Sequence, residues 1–149
     1  MTNNFYILND KLYTKVDISS NYPIIEFKGK VQPSSNLDFF SRLEISSELS
    51  IGPSGDIDDH INHSCNPNTG LRVVHNRAFL YSIKNIKANQ EITFDFSTTM
   101  LDGKYLCKCN FGNCRKFIEP FKSLDKQIKD KYISLNIVPK FILEREKHV

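Results

Sequence analysis

The placement of the four cysteines constrains this chain more than any other feature. Cys107, Cys109 and Cys114 form a Cys-x-Cys-x4-Cys run, and Cys65 is the fourth cysteine. Three thiolates this close together can converge on one metal ion, and a tetrahedral zinc site takes a fourth ligand, which Cys65 could supply. Disulfide bonds, with three possible pairings, and unrelated buried thiols are the alternatives. A zinc ion bound by four cysteines has no open coordination position, so one ion held there would be structural.

The composition bounds the class of protein. The chain has 149 residues, of which 40% are hydrophobic and 25% charged, and its formal net charge is +3. This length fits one domain over residues 1–149, which buries about 68–70% of its unfolded surface and does not need a metal to fold. The charge is small and evenly spread, and no apolar run approaches the roughly 18 residues of a membrane helix. We therefore expect no direct binding of nucleic acid and no membrane association.

The N-terminal residues bear on location. Residues 1–5 contain neither a basic region followed by an apolar one nor a lipidation signal. We therefore expect a cytoplasmic protein, or a nuclear or host-delivered one if the source is eukaryotic, viral or pathogenic. The cysteines are then reduced, which disfavours all of the disulfide pairings.

Short runs rich in β-branched and aromatic residues predict strands over the first two thirds of the chain. Clusters of turn-forming residues separate them. The predicted strands are 5–8, 12–16, 23–27, 39–45, 49–51, 71–74, 78–83 and 91–96. Strands this short and closely spaced favour a mainly β core of small sheets over βαβ units.

The last quarter of the chain has a helical pattern. Apolar residues recur every three or four positions from Leu124 to Leu135, which predicts an amphipathic helix with Ser123 as its N-cap. Proline is suited to the first position of a helix, so Pro139 is predicted to begin a second one. We expect these helices to close the chain.

The residues around Cys65 are more specific than the cysteine spacing. Residues 61–68 read Ile-Asn-His-Ser-Cys-Asn-Pro-Asn, which resembles the Asn-His-Ser-Cys-x-Pro-Asn signature of the SET-domain protein lysine methyltransferases. Residues 86–96 are similar to the second signature of that family, which typically ends in Leu-Thr-Phe-Asp-Tyr. The cysteine run is similar to the post-SET zinc motif, in which the signature cysteine is the fourth ligand, and residues 23–29 are like the family's early strand. The resemblance spans about residues 6–118.

The resemblance implies a fold. It is a mainly β SET-domain fold of small sheets with a pseudo-knot, in which residues 62–68 thread under a loop near the second signature. Such threading is an exception to the usual rules of chain topology. The expected organisation is a SET domain over about 6–103, a post-SET zinc motif over 104–118 and a C-terminal helical extension over 119–149.

The resemblance also implies a function, that of an S-adenosylmethionine-dependent protein lysine N-methyltransferase. S-adenosyl-L-methionine would be the methyl donor, and a lysine-containing protein or peptide the substrate. Phe94 and Phe96 are expected to line the lysine channel. The expected cofactor-binding residues are Asn62, His63, Lys11 and Phe117, the last of which would pack on the adenine.

The sequence departs from the family pattern at several positions. Phe96 stands where the second signature usually ends in the catalytic tyrosine, and Phe27 stands where a tyrosine is common. Residues 9–11 read Asn-Asp-Lys in place of Gly-x-Gly, so Lys11 would approach the cofactor's carboxylate differently. Residues 59–60 read Asp-His where Arg-Phe is typical.

These departures leave two further interpretations open beside an active enzyme. Loss of a positioned hydroxyl costs about 10²–10⁴ in rate, so the chain could be a SET-like module that binds cofactor or a lysine peptide with weak or no turnover. The other is a structural, zinc-stapled interaction domain. The acidic residues Asp56, Asp58 and Asp59 have two interpretations, attraction of a basic substrate or capping of the turn after Gly55.

Overall fold

The computed structural model describes residues 2–146. Residues 1 and 147–149, which belong to the predicted domain and to its C-terminal extension, lie outside the described residues. The strands are β1 Phe5–Leu8, β2 Lys11–Thr14, β3 Pro23–Glu26, β4 Val31–Pro33, β5 Leu43–Glu44, β6 Leu49–Ile51, β7 Asn62–His63, β8 Thr69–Val74, β9 Arg77–Ser82, β10 Thr93–Phe94, β11 Tyr105–Leu106 and β12 Phe117–Ile118. Two helices follow, α1 Lys126–Ser134 and α2 Lys140–Glu146. The predicted class, small β-sheets with C-terminal helices, is confirmed.

The described strands form five small sheets. The central sheet has the order β3-β9-β8 and a second sheet has the order β4-β6-β5, while β1 pairs with β2, β7 with β10, and β11 with β12. The hairpin of β8 and β9 closes through His75 and Asn76, whose φ angles are 50° and 61°. Positive φ at both central residues gives the turn whose twist matches that of paired strands.

The hydrophobic core lies between these sheets. On β9 the buried residues are Ala78, Leu80 and Ser82, which alternate with more exposed ones, as the two-residue period of a strand requires. Leu12, Leu71 and Ile92 come from other segments and are fully buried against this face. The core therefore joins the β1–β2 pair to the central sheet and to the segment that leads into β10.

The two signature segments lie side by side. β7 and β10 pair in parallel, with Asn62 opposite Thr93. Asn68 reinforces this pairing, because its Nδ2 donates to the Glu91 carbonyl at 2.7 Å and its Oδ1 accepts from the Thr93 N–H at 3.0 Å. The Thr69 hydroxyl donates to the Thr93 carbonyl at 2.6 Å. Residues 62–69 are thus hydrogen-bonded along residues 91–94. We call this pair of adjacent segments the β7–β10 crossing.

Several of the predicted strands are shorter than expected, and two of them differ most. Within 39–45, residues 39–41 form a 3₁₀ turn and only Leu43–Glu44 pairs as a strand, while β10 ends at Phe94 and a 3₁₀ turn follows over Phe96–Thr98. The second turn has a clear cause, since the Asp95 carboxylate accepts the N–H of Ser97 and caps the turn. Strand propensity is overridden there by a local side-chain bond.

The start of α1 also differs from the prediction. Ser123 ends a 3₁₀ turn and Leu124 is extended, so Asp125 and not Ser123 occupies the N-cap position. Leu124 is buried in the C-terminal core, and this anchor delays the helix by two residues. Pro139 lies one position before α2, where its carbonyl accepts the N–H groups of residues 142 and 143. No helix among the described residues is long and apolar enough to cross a membrane.

The C-terminal extension packs on the central sheet. Ile137 lies against Gly70 of β8, where a Cβ atom at position 70 would overlap the Ile137 side chain. The Arg72 guanidinium donates to the carbonyls of Leu135 and Asn136 at 3.4 and 3.1 Å, which satisfies free carbonyls at the end of α1. The extension therefore belongs to the same packed body as β8.

Candidate active site and metal centre

The four cysteines converge. Their Sγ atoms all lie within 4.8 Å of one another, and the Sγ atoms of Cys65 and Cys107 are 3.7 Å apart. Zinc–sulfur bonds of about 2.3 Å in a tetrahedron place the sulfurs about 3.8 Å apart, so this spacing fits one zinc ion. All four are free thiols, which excludes the disulfide pairings in this structure. The donor set and its compactness match a structural zinc centre.

The backbone around the run holds the sulfurs in place. β11 and β12 pair, and the Cys107 N–H donates to the Lys116 carbonyl at 2.8 Å. The N–H of Arg115 points at Cys65 Sγ at 3.5 Å, and that of Lys116 points at Cys114 Sγ at 3.3 Å. Amide donors directed at ligating sulfurs stabilise their thiolate form and orient them.

His63 links the metal centre to the second signature. Its Nδ1 accepts the Phe96 N–H at 3.0 Å, so the ring proton lies on Nε2, which is 3.4 Å from Cys65 Sγ and donates to it. Burial lowers the pKa of His63 to about 4, the Asp95 charge opposes this shift, and Arg115 adds to it. His63 is therefore a neutral, buried ring. Its side chain is committed inside the protein, which leaves its backbone as the part that can meet a ligand.

A buried carboxylate, Asp95, lies next to His63. The Arg115 Nη2 donates to its Oδ1 at 2.9 Å, and Nη1 lies 2.8 Å from its Oδ2. The Tyr132 hydroxyl donates to Oδ2 at 2.8 Å. Burial and the Asp95 charge raise the pKa of Tyr132 well above its usual range, so this hydroxyl keeps its proton.

Asp95, Arg115 and Tyr132 were not predicted from the sequence as site residues. They come from the second signature, from α1 and from residues 104–118, which we call the zinc loop. No local spacing in the sequence connects these three segments. The available signal was a charged residue inside an otherwise apolar strand, since a buried carboxylate needs a cationic or hydrogen-bonding partner.

Phe94 and Phe96 border a cleft of about 310 Å³. Their ring centroids are 4.9 Å apart, and Phe27 meets Phe94 edge to face at 6.2 Å. None of the described residues lining the cleft is a tyrosine. The predicted channel residues therefore share one aromatic wall, and that wall carries no phenolic hydroxyl.

The mouth of the cleft is also aromatic. Phe39 stacks on Tyr105 of β11 with centroids 4.0 Å apart, and Phe40, which is 67% exposed, meets Tyr105 edge to face at 5.3 Å. These contacts join the segment before β5, which lines the cleft, to the zinc loop. The zinc loop therefore supports lining residues of the cleft from behind.

The acidic residues beside the cleft have local partners. Asp58 is buried and accepts the Ser54 hydroxyl at 2.6 Å, while Asp59 accepts the N–H groups of Ser54 and Gly55 at 2.9 and 2.8 Å. Asp56 accepts the N–H that follows it. The geometry favours the capping interpretation of this cluster, although Asp58 and Asp59 also line the cleft.

The predicted cofactor residues lie in two places. Asn62 Nδ2 donates to the carbonyl of Asp10 at 3.2 Å, so Asn62 adjoins the turn that precedes Lys11 at the start of β2. Phe117 lies on β12 of the zinc loop and is 39% exposed. The Lys104 ammonium lies 4.5 Å from the centroid of its ring. The structure brings Asn62 to the turn before Lys11. The roles of all these residues as cofactor contacts stay predictions.

Comparison with known sequences identifies relatives. The SET domain family model matches residues 9–97. Histone-lysine N-methyltransferase trithorax of Drosophila virilis is 27% identical over 124 residues, which are 72% of this chain and 3% of that protein. An H3 lysine-4 specific histone-lysine N-methyltransferase of Emericella nidulans is 25% identical over 133 residues, covering 75% of this chain and 11% of that protein. Human SETD1B, also named a histone-lysine N-methyltransferase, is 32% identical over 81 residues, 52% of this chain and 4% of its own length.

Solved structures agree with this assignment. KRYPTONITE in complex with mCHG DNA and SAH has a TM-score of 0.63 at 27% identity, covering 72% of this chain and 26% of that one. A second KRYPTONITE complex, with mCHH DNA, an H3(1-15) peptide and SAH, has a TM-score of 0.61 at 24% identity, covering 72% and 27% of the two chains. This chain therefore spans a small part of the length of these proteins. Because the family model covers more than half of the chain and the fold, the signatures and the cysteine cluster agree with it, this chain belongs to the SET-domain family.

Proposed function

We propose that this chain is an S-adenosylmethionine-dependent protein lysine N-methyltransferase. The observation that carries the proposal is the aromatic cleft formed by Phe27, Phe94 and Phe96 at the pair of signature strands. Relatives named histone-lysine N-methyltransferases, and a structural neighbour that holds SAH, the cofactor without its transferred methyl group, support it. The proposed substrate is a lysine side chain of a protein or peptide.

The cleft would act mainly by positioning and desolvation. When bound, S-adenosylmethionine supplies an electrophilic methyl group on a sulfonium, and the lysine amine must meet it in line and without its proton. A free lysine has a pKa of about 10.4, and an apolar wall disfavours its charged form. Phe94 and Phe96 would therefore exclude water and favour the neutral amine. Their rings would also attract a methylammonium product by about 0.5–2 kcal/mol.

Asn62, His63, Lys11 and Phe117 are proposed to hold the cofactor. The support is the contact of Asn62 with the turn before Lys11, which gathers two of the four residues at one edge of the crossing. Because the His63 side chain is turned inward, its part would be played by the backbone of β7. Phe117, on the zinc loop, has an exposed ring that could contact the cofactor.

One zinc ion bound by Cys65, Cys107, Cys109 and Cys114 would be a scaffold. The compact set of four sulfurs supports this ligand set, and such a site leaves no position for a substrate. The ion would fix residues 107–114 against residue 65, next to the segment from which Phe94 and Phe96 project.

A second candidate is a SET-like module that binds cofactor or a lysine peptide with weak or no turnover. The observation that favours it is the wall of three phenylalanines at Phe27, Phe94 and Phe96, with no phenolic hydroxyl among the described lining residues. The two candidates share the binding step and differ in chemistry. Their separation needs both a binding and a turnover measurement.

Mass spectrometry of a lysine-rich protein and peptide panel, incubated with the zinc-loaded protein and S-adenosylmethionine, tests the proposal. We expect methylated lysine products. Calorimetry with the cofactor alone runs beside it, because ligand at 100 times its dissociation constant stabilises a protein by about 2.7 kcal/mol. Cofactor binding without any product would favour the module. Absence of both heat and thermal shift at millimolar cofactor would contradict the enzyme and the cofactor-binding form of the module. If a lysine-peptide titration also shows no binding, the structural zinc-stapled domain is favoured.

Partners and location belong to the same proposal. A cytoplasmic location is proposed, or a nuclear or host-delivered one if the source is eukaryotic, viral or pathogenic, and cell fractionation tests it. The expectation that the chain does not bind nucleic acid directly stays a prediction, since one structural neighbour is in complex with DNA. A gel-shift titration with duplex DNA checks it.

A further inference from the structure

The C-terminal helix α1 lies outside the segment that the family model matches, but it reaches the site. The match ends at residue 97, and α1 begins at Lys126. Tyr132 is the buried residue of α1, at 3% exposure, and its hydroxyl donates to Asp95 Oδ2 at 2.8 Å. A side chain of the extension is therefore bonded to the second signature.

Asp95 lies between the two channel residues. Phe94 precedes it in β10 and Phe96 follows it, and the carboxylate caps the turn that begins at Phe96. The Asp95 carboxylate thus holds the turn from which the Phe96 ring projects, directly after the strand that carries Phe94. Since Phe94 and Phe96 border the cleft, a change at this carboxylate reaches the cleft wall directly.

The same carboxylate also holds the zinc loop. Arg115 follows the ligand Cys114, its N–H points at Cys65 Sγ, and its guanidinium contacts both oxygens of Asp95 at 2.8–2.9 Å. Asp95 therefore joins three segments that are far apart in sequence, namely the second signature, the zinc loop and α1. A carboxylate buried this deeply needs charged or hydrogen-bonding partners, which Arg115 and Tyr132 supply.

We propose that Tyr132 is a positioning residue whose hydrogen bond to Asp95 fixes the cleft wall and the zinc loop relative to each other. The C-terminal extension then contributes to the geometry of the site. The effect of Tyr132 on turnover rests on the proposed function, while its effect on the two segments does not. The hydroxyl is the active group. The ring alone packs with Leu124 and Ile142 in the C-terminal core.

Hydrogen–deuterium exchange of the full chain tests this without assuming any activity. Tyr132→Phe keeps the ring and removes one hydrogen bond to a charged group, so we expect amide exchange in residues 93–99 and 105–118 to accelerate about tenfold, the factor that corresponds to about 1.4 kcal/mol. Ile142→Val is the matched control, because it loosens the same apolar cluster without touching Asp95. The control is expected to change exchange within residues 119–146 alone.

Exchange that accelerates in Tyr132→Phe only within residues 119–146 would overturn the proposal, since the hydroxyl would then act on its own helix alone. The double variant with Asp95→Ala gives a second measurement, because alanine removes the acceptor that asparagine would keep. If Tyr132 acts through Asp95, adding Tyr132→Phe to Asp95→Ala leaves exchange in 105–118 unchanged, whereas additive effects contradict the mechanism. Should Asp95→Ala fail to fold, the comparison of Tyr132→Phe with Ile142→Val still decides.

Turnover supplies the link to function. With formation of methylated peptide as the readout, we expect Tyr132→Phe to lower kcat about tenfold with little change in KM. The aromatic wall that positions the lysine amine is loosened, but the rings of Phe94 and Phe96 remain. Unchanged kcat together with accelerated exchange in 93–99 would overturn the part of the proposal that concerns catalysis. If the wild type shows no turnover, the proposed function fails, and the exchange data still decide whether Tyr132 positions the two segments.

Discussion

The β7–β10 crossing has a metal side, with the four cysteines, and a ligand side, with the aromatic cleft and the turn before Lys11. The two sides differ in how many of the residues typical of the family they keep. On the metal side the chain keeps the signature residues, and the four cysteines converge within 4.8 Å. On the ligand side it replaces them, with Phe27 and Phe96 in place of tyrosines and Asn9 and Asp10 in the turn that usually carries glycines. The changes therefore lie among the residues proposed to face the ligands, although Asn62, His63 and Phe94 keep the signature residues there.

The replaced residues themselves fall into two kinds. Asn9 and Asp10 have φ angles of 52° and 60°, the left-handed region that glycine adopts freely and that Asn and Asp enter more readily than other residues. The turn therefore adopts left-handed backbone at two residues without a glycine. At Phe96 the ring is kept, but the described lining residues offer no other phenol in its place. Shape can be encoded in more than one way, whereas a lost hydroxyl removes its chemistry.

The largest effect is expected on the metal side, from Cys65→Ser. Losing one of four thiolates should abolish stable zinc binding, because structural zinc sites contribute on the order of 10 kcal/mol of apparent binding energy and depend on the full ligand set. Metal analysis of the purified protein measures it, with Lys108→Ala, between two ligands, as the control. The core should remain folded by circular dichroism. Full zinc occupancy in Cys65→Ser would show that Cys65 is not a ligand.

The second largest effect is expected at Phe96. Phe96→Tyr restores an oxygen at the position where the family usually carries it, and we expect turnover to rise about tenfold or more, which corresponds to about 1.4 kcal/mol. Methyl transfer to a peptide measures it, with cofactor affinity unchanged. Phe40→Tyr, which adds a hydroxyl at the exposed mouth of the cleft, is the control and should have no effect. A neutral or slower Phe96→Tyr in a fast enzyme would mean that another group, such as Tyr105, has taken over the role.

A smaller effect is expected from Asn62→Ala. This change removes the hydrogen bond from Asn62 Nδ2 to the Asp10 carbonyl, which joins β7 to the turn before Lys11. We expect cofactor affinity to fall about three- to tenfold, as a neutral hydrogen bond contributes roughly 0.5–1.5 kcal/mol. Isothermal calorimetry measures it, and Asn66→Ala, in the same segment, is the control. Equal affinities in the two variants would remove Asn62 from the proposed cofactor site.

The smallest effects are expected in the turn. Asn9→Gly should leave the free energy of unfolding within about 0.5 kcal/mol, because glycine tolerates φ of 52°. Asn9→Val should destabilise by about 1–2 kcal/mol, the cost of left-handed backbone for a β-branched residue. Urea unfolding of both variants measures the difference. Equal stability of Asn9→Gly and Asn9→Val would show that the left-handed conformation does not matter here.

Sequence patterns predicted the longer strands and missed the shortest. β1 and β6 have the predicted bounds, and β8 and β9 nearly so, because each is a run rich in apolar residues that is bounded by turn-forming residues. β7, β11 and β12 have two residues each, too few to stand out as such a run, and β7 pairs with β10, which lies far along the chain. The prediction of Ser123 as the N-cap was wrong since burial of Leu124, a tertiary effect, decides where α1 begins.

The candidate site was predictable to the extent that it consists of contiguous motifs. The four cysteines and the channel residues Phe94 and Phe96 lie within such motifs, and the structure places them as a sulfur cluster and an aromatic wall. The Asp95 network was not predictable. Arg115 lies 20 positions and Tyr132 37 positions from Asp95, and charge pairing at those separations leaves no periodic trace.

The parallel pairing of β7 with β10 also has a consequence for the order in which the chain folds. Asn62 and Thr93 pair across 31 positions, and the β8–β9 hairpin lies between them. Hairpins form in about 1–10 μs, whereas contacts distant in sequence wait for slow loop closure, so the hairpin should form before the crossing does. Cys65 reaches its final place only with the crossing, and the sulfurs of residues 107–114 can then gather around it. We therefore expect the rate of refolding to be independent of zinc concentration, with the ion captured after the rate-limiting step.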